Sequence, residues 1–461
     1  MPAKAGIQKY LKILDSRLRG HDAKGRFQTF YEFVNNKDKE INMNDASTYM
    51  SDIKSFLEAN ETSMFKFLEE VVLIQSGSHH KKGVDKVLHY IQGSFEGMDV
   101  STEVVEQPLL GNHLIVRSIC PPGASDQFLI VGHMDTVFPA DTEFNWYKED
   151  NARCYGPGVV DMKGGLVVGI FALKALQEIG LLQEIPLAFI FNSDEEIGSR
   201  SSLDVIQQEA NQSAIAFILE CGGLNGEVVT GRKGNLMVEL HVEGKAGHAA
   251  FTDQGKSSAI LEMAHKIIQF ESLNDFQKGI TVNVGKVEGG IGPNTVSEFC
   301  TAQIDFRYVA PEDFKHIESR ITDITGTTQI KGTRSNVEFV SGRPPMQQNQ
   351  ANKKLYALAD KTAKQLGIPI KEQFRFGGSD ANFIADLGIP VLDGLGPIGA
   401  KDHSNEEYMI KQSLLQRAML FTCTLLASWE DRTTEGRRMA EPQFQCYRTP
   451  EPQKTGSTGL S

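Results

Sequence analysis

Three short apolar runs decide what this chain can fold into: "FLIVG" (128–132), "IPLAFIF" (185–191) and "AIAFIL" (214–219). None alternates with polar residues, so each needs cover on both faces and reads as a strand inside a sheet with helices packed above and below. The stretches "GGLVVGIFALKALQEIG" (164–180) and "SLLQRAMLFTCTLLASW" (413–429) have the length and composition of the covering helices. The pattern predicts an α/β domain with a sheet flanked by helices.

Near residue 232 the pattern changes. "NLMVELHVEG" and "ITVNVGKVEGG" alternate apolar and polar residues as half-exposed antiparallel strands do, and "SSAILEMAHKIIQF" between them reads as a helix. A smaller α+β domain is therefore expected as an insertion over 232–343, splitting the first domain into 44–231 and 344–430. Residues 1–43 read as a basic N-terminal extension, either outside the native chain or disordered. The Pro-, Thr- and Gly-rich end, 431–461, holds too little apolar surface to offset chain entropy and is expected to be disordered.

A formal charge of -12, without clustered Lys and Arg, excludes a nucleic-acid footprint. No apolar run reaches membrane-spanning length and the start lacks a signal-peptide core, so no membrane partner is expected. Six scattered cysteines without C-x-x-C spacing read as reduced thiols. Together these point to a cytoplasmic protein.

The residues at the carboxyl end of each buried strand carry the chemistry. The first strand runs into His133 and Asp135, the second into Asp194, Glu195 and Glu196, the third into Glu220. Ligands of open α/β sheets sit beyond the carboxyl ends of strands, so one crevice would receive all of them. Asp161 in the glycine-rich "GPGVVDMKGG" and His403 in the polar loop "GAKDHSNEEY" complete the set. Imidazole with carboxylate suits zinc. Five candidates (His133, Asp161, Glu196, Glu220, His403) exceed one tetrahedral ion but suit two that share a carboxylate and a water. Two dications, three carboxylates and a bridging hydroxide sum to zero charge, which permits burial. Glu195 is then free to take a proton from that water, and Asp135 to orient the His133 imidazole. Asp194 has no assigned chemistry and is expected to be solvated or turn-forming.

The ordered motifs "GHMDTV", "GPGVVDMKGG", "NSDEEIGS", "LECGG", "GKAGHAA", "GGIGPNTV", "DFRY", "SGRP" and "GGSDA", with the final His403, resemble the dinuclear zinc aminoacylase/carboxypeptidase family, in its glutamate carboxypeptidase (carboxypeptidase G type) branch. The resemblance runs from about residue 60 to 430. It implies a zinc-peptidase-like catalytic domain (mixed sheet, flanking helices) with an inserted dimerisation or lid domain, and two Zn2+ per chain, with Co2+ or Mn2+ as alternative occupants. His133 and Glu220 would bind one ion, Glu196 and His403 the other, with Asp161 bridging; Glu195 would be the general base. It further implies a cis peptide at Asp161–Met162 and a homodimer through the inserted domain, in which His248 reaches the partner's active site with Asn294 nearby. Arg343 matches the residue that grips the substrate's free carboxylate, and Arg307, Gly378 and Ser379 match further substrate-side positions. Gly247 stands where relatives often carry Ser. Glu220 stands where the desuccinylase and deacetylase branches carry Asp, and so favours the carboxypeptidase-like branch.

The activity implied is a metallocarboxypeptidase, attacking by metal-bound hydroxide and releasing a glutamate-like C-terminal residue from a small peptide or N-acyl amino acid with a free carboxylate. The alternatives are an N-acyl-amino-acid deacylase or dipeptidase on the same scaffold, and an inactive metal-binding relative. "AFTDQGKSS" (250–258) is a poor phosphate loop because Ala250 opens it in place of Gly. His79 and His80 read as a solvated helix entry, and no G-x-S-x-G elbow is present for a serine nucleophile.

Overall fold

The computed structural model describes residues 46–121, 127–251 and 255–440. The chain divides into Met1–Ser51 and Asp52–Ser461. Of the first unit only 46–51 are described, as the start of the helix Ala46–Ala59. The expectations for 1–43 and for 441–461 lie outside the described residues.

The six-stranded sheet has the order Val100–Val105, His113–Ser118, Leu187–Asn192, Gln127–His133, Ser213–Ile218, Val391–Leu392. The first three strands pair antiparallel and the last four pair parallel, so the sheet is mixed. Its inner strands lack exposed positions because each face meets a different helix layer. Leu129, Val131, Ala188, Ile190, Ala216 and Ile218 pack with Ile206, Ala210, Ala381 and Ile384, from the helices Leu203–Ala210 and Ala381–Asp386. The alternate residues turn the other way, where Phe217 meets Phe421 of the last helix edge-on at 5.6 Å. The period of two therefore survives in the choice of partner.

The helix Lys163–Glu178 is apolar almost all round because it lies between that second face and the last helix, Lys411–Ala440. Gly165 permits the close approach: a Cβ there would sit on the carbonyl oxygen of Leu219. The last helix runs through Ala440, so residues 431–440 are helical where a disordered tail was expected. Three of those ten residues are Arg, and extending a helix already nucleated by buried residues such as Leu414, Phe421 and Leu425 needs little further stabilisation.

Between the two parts of this framework stands a four-stranded antiparallel sheet, ordered Thr281–Gly289, Phe299–Tyr308, Gly234–Glu243, Arg334–Arg343. The helices Ala259–Glu271 and Pro311–Gly326 cover one face, around a core of Leu236, Val238, Leu240, Phe270, Ile304, Phe306 and Ile321. The other face keeps the polar half of the alternation. Among the described residues no helix is long and apolar enough to cross a membrane.

Candidate metal centre

His133 is the last residue of its strand, and its Nε2 lies 3.3 Å from Asp161 Oδ1 and 3.6 Å from Glu220 Oε1. The second oxygen of Asp161 faces a separate group: Oδ2 lies 3.3 Å from His403 Nε2, which lies 3.2 Å from Glu196 Oε2. One carboxylate thus stands between two His–carboxylate pairs. Donors bonded at about 2.1 Å to a tetrahedral ion stand about 3.4 Å apart, the spacing these pairs already have. The donor set fits two divalent cations, one held by His133 and Glu220, the other by Glu196 and His403, with Asp161 shared.

The electrostatics point the same way. Burial, aided by the Asp161 charge, pushes Glu196 up to about 7 despite its contact with His403, and Glu220 well above the carboxylate range. Hydrogen bonds to Asp161 and Glu196 pull His403 up to about 11. Despite burial, the carboxylates also hold His133 well above the usual imidazole range, so this buried cluster draws protons onto both imidazoles, a positive charge that a cation pair would take over.

Backbone geometry sets the donors. Glu195 and Glu196 sit on a 3-10 turn, Glu195–Ile197, closed by Gly198 at φ +97°, a left-handed conformation that suits glycine. The Asp135 carboxylate accepts the N–H groups of Glu195 (3.2 Å) and Glu196 (3.3 Å) and the Ser78 hydroxyl (2.7 Å). The His133 Nδ1 contacts the Asp135 backbone carbonyl at 3.0 Å, with carboxylate Oδ1 at 3.4 Å. Asp135 therefore orients the imidazole chiefly through its main chain, while its side chain fixes the turn that bears Glu195. Asp194 is fully buried, which corrects the solvated alternative; it forms the turn, accepting from Ser201 N (2.6 Å), Ser201 Oγ (2.8 Å) and Ser202 Oγ (2.6 Å). Asp161, which stands between the two pairs, precedes a cis peptide to Met162. Its loop is held by Glu407, whose carboxylate accepts the N–H groups of Gly158, Val160 and Asp161 at 2.9, 2.9 and 3.1 Å. Sequence reasoning missed Glu407; its only signal was nearness to His403 in "DHSNEEY".

A cavity of about 750 Å³ opens over the centre, lined by Asp161, Glu195, Glu196, Glu220 and His403 and, beyond them, by Arg307, Arg343 and Gly378. Arg343 ends its strand with Nη2 at 2.9 Å from Glu195 Oε1, 3.0 Å from Glu195 O and 2.9 Å from Ser199 Oγ. Its Nε is buried without an acceptor. Ser379 departs from its expected substrate-side place: the side chain is buried and its hydroxyl donates to Asp393 Oδ2 at 2.8 Å. Asp393 in turn holds Arg232 Nε at 2.6 Å. Arg232 and Arg375 also line the cavity, and neither was singled out from sequence, because the strands that bring them side by side are far apart along the chain. His248 and Asn294 are exposed on the four-stranded-sheet domain and do not line the cavity. His248 ends a two-residue strand paired with Thr295–Val296, its Nδ1 accepting from Ala250 N at 3.1 Å.

Known proteins resemble this chain in sequence and in fold. Carboxypeptidase G2 of Pseudomonas sp. (strain RS-16) is 26% identical over 370 residues, 79% of this chain and 89% of that one. In fold, the chain resembles aminopeptidase PepT from Bacillus cereus (TM-score 0.66, 21% identity, covering 80% of this chain and 98% of that one). It also resembles the YXEP protein of Bacillus subtilis, described as a dinuclear metal binding peptidase (TM-score 0.60, 16% identity, covering 81% and 99%). Residues 129–427 match Peptidase family M20/M25/M40, and the chain belongs to that family of amide-bond hydrolases.

Proposed function

We propose that this protein is a dinuclear zinc metallocarboxypeptidase that releases a glutamate-like C-terminal residue from small peptides or N-acyl amino acids. The observation that carries the reading is the division of Asp161 between two His–carboxylate pairs, with Glu195 and Arg343 on the wall of the same cavity. When bound, two zinc ions supply Lewis acidity and make water acidic enough to act as a nucleophile near neutral pH.

The chain's own residues do the rest. Glu195, buried at the cavity wall and fixed by Asp135, takes the attacking water's proton and returns it to the leaving nitrogen. Arg343, with a buried Nε lacking an acceptor, receives the substrate's carboxylate and so sets the distance of the scissile bond from Glu195. His248, exposed and outside the cavity of its own chain, serves the site of a second copy, joined through the four-stranded-sheet domain, and steadies the developing oxyanion there with Asn294. Five free cysteines among the described residues accord with a cytoplasmic setting.

The test is Glu195→Gln. Hydrolysis should fall by about 100- to 10,000-fold while metal analysis still finds two ions per chain. Undiminished turnover would remove Glu195 as the base. A panel of N-acyl amino acids and peptides, matched at the C-terminal residue, separates the carboxypeptidase from a deacylase on the same scaffold.

A further inference from the structure

Four arginines line the cavity: Arg232, Arg307, Arg343 and Arg375. Three have carboxylates of their own. Arg232 Nε lies 2.6 Å from Asp393 Oδ2, Arg307 Nε 2.8 Å from Asp305 Oδ2, and Arg343 Nη2 2.9 Å from Glu195 Oε1. The hydrogen-bond partners of Arg375 are neutral. Its Nε donates to the Gln373 amide oxygen at 3.0 Å and its Nη1 lies 3.6 Å from Cys221 Sγ; among the described residues it forms no ion pair.

Its surroundings add to the imbalance. The strand Lys371–Arg375 runs parallel to Glu227–Arg232, with Arg375 opposite Arg232 in register. Behind them is Arg417, buried, whose guanidinium donates to the backbone carbonyls of Gly394 and Glu227 and packs against Gly222. Burial first, then the charge of Arg375, hold Arg417 down at about 10. Arg232 and Arg375 thus stand together at one end of the cavity beside the Glu220–Gly222 segment, with Arg417 buried close by, and Asp393 is engaged with Arg232. A half-buried, unpaired guanidinium loses its water when a ligand enters, which disfavours a neutral ligand and favours one that brings a carboxylate to the planar fork.

We propose that Arg375 is a specificity-determining residue that receives a second carboxylate of the substrate, beyond the one held by Arg343, so that dianionic substrates are preferred. The proposal rests on the amidohydrolase reading above. The second carboxylate has two sources, the side chain of the leaving amino acid or the acyl part.

The experiment measures kcat/KM of the metal-loaded enzyme on two matched pairs. N-acetylglutamate against N-acetylglutamine reports the leaving side chain, and N-succinyl-leucine against its succinamoyl counterpart reports the acyl part. Wild type should favour the dianion by about 10- to 100-fold in one pair, which identifies the source. Arg375→Gln should bring that ratio to within about twofold of unity, and Arg375→Lys should keep part of it. Because both members of a pair are read on one preparation, loss of folded protein cancels. Arg343→Gln should depress both members alike, which separates the two arginines. A wild type indifferent to the second charge, or a ratio untouched in Arg375→Gln, overturns the proposal while leaving the hydrolase reading intact. Absence of hydrolysis of all four compounds would instead overturn the hydrolase reading, and the role of Arg375 with it.

Discussion

The Asp135 carboxylate divides its two oxygens between the N–H groups of Glu195 and Glu196, with the Ser78 hydroxyl as a third donor. Replacement by Asn turns one acceptor oxygen into an amide that faces a donor, so one of those bonds is lost and repulsion takes its place. Asp135→Asn should lower kcat or metal affinity by about 10- to 100-fold, read by steady-state kinetics beside a metal titration; unchanged values in both would mean the turn holds itself. This residue also marks how far sequence reaches. That Asp135 would serve His133 was legible from their spacing. That its side chain would serve a turn some 60 positions later was not, because nothing local in the sequence records which backbone donors arrive beside it. Asp194 shows the same gap: three carboxylates in a row look solvated until the serines that bury one of them, Ser201 and Ser202, fold back over it.

At the scale of elements, the helix Lys163–Glu178 touches the end of the strand that delivers Glu220, and Gly165 is where they meet. Gly165→Ala gains about 1 kcal/mol in helix propensity. Against this stands a Cβ placed on a backbone carbonyl, which no rotamer change relieves, and overpacking of this kind costs about 1–3 kcal/mol. The variant should lower the urea midpoint and weaken metal binding together, since the displaced carbonyl belongs to the residue before Glu220. A stabilised variant would show that the helix has room to shift. The strands themselves were legible because a run buried on both faces has no alternative reading at that length. The extent of the last helix was not, since polar residues beyond a buried stretch can either fray or continue, and composition alone does not choose. Pairs such as Arg232 with Asp393 stayed hidden because the two residues stand 161 positions apart, which leaves no short-range pattern.

For the molecule as a whole, the placement of His248 outside its own cavity makes a site shared between copies testable by mixing. Chains carrying His248→Ala and chains carrying Glu195→Gln should each be impaired alone. Dissociated and reassociated in equal amounts, they should regain about a quarter of wild-type activity, because half the dimers are hybrids with one intact site of two. No recovery would place His248 in the service of its own chain. The proposed metal donors carry a different consequence. They come from segments between residue 133 and residue 403, with the whole four-stranded-sheet domain lying between Glu220 and His403 in sequence. A cation pair bound as proposed, gripping both ends, would act as a clasp on a long loop. The entropy of closing such a loop grows only with the logarithm of its length, about 0.6 kcal/mol for each doubling. On the proposed reading the clasp would be nearly indifferent to the length of chain it encloses, so the inserted domain could change size at little entropic cost provided Arg343 and Arg307 stay on the cavity wall and His248 keeps its place.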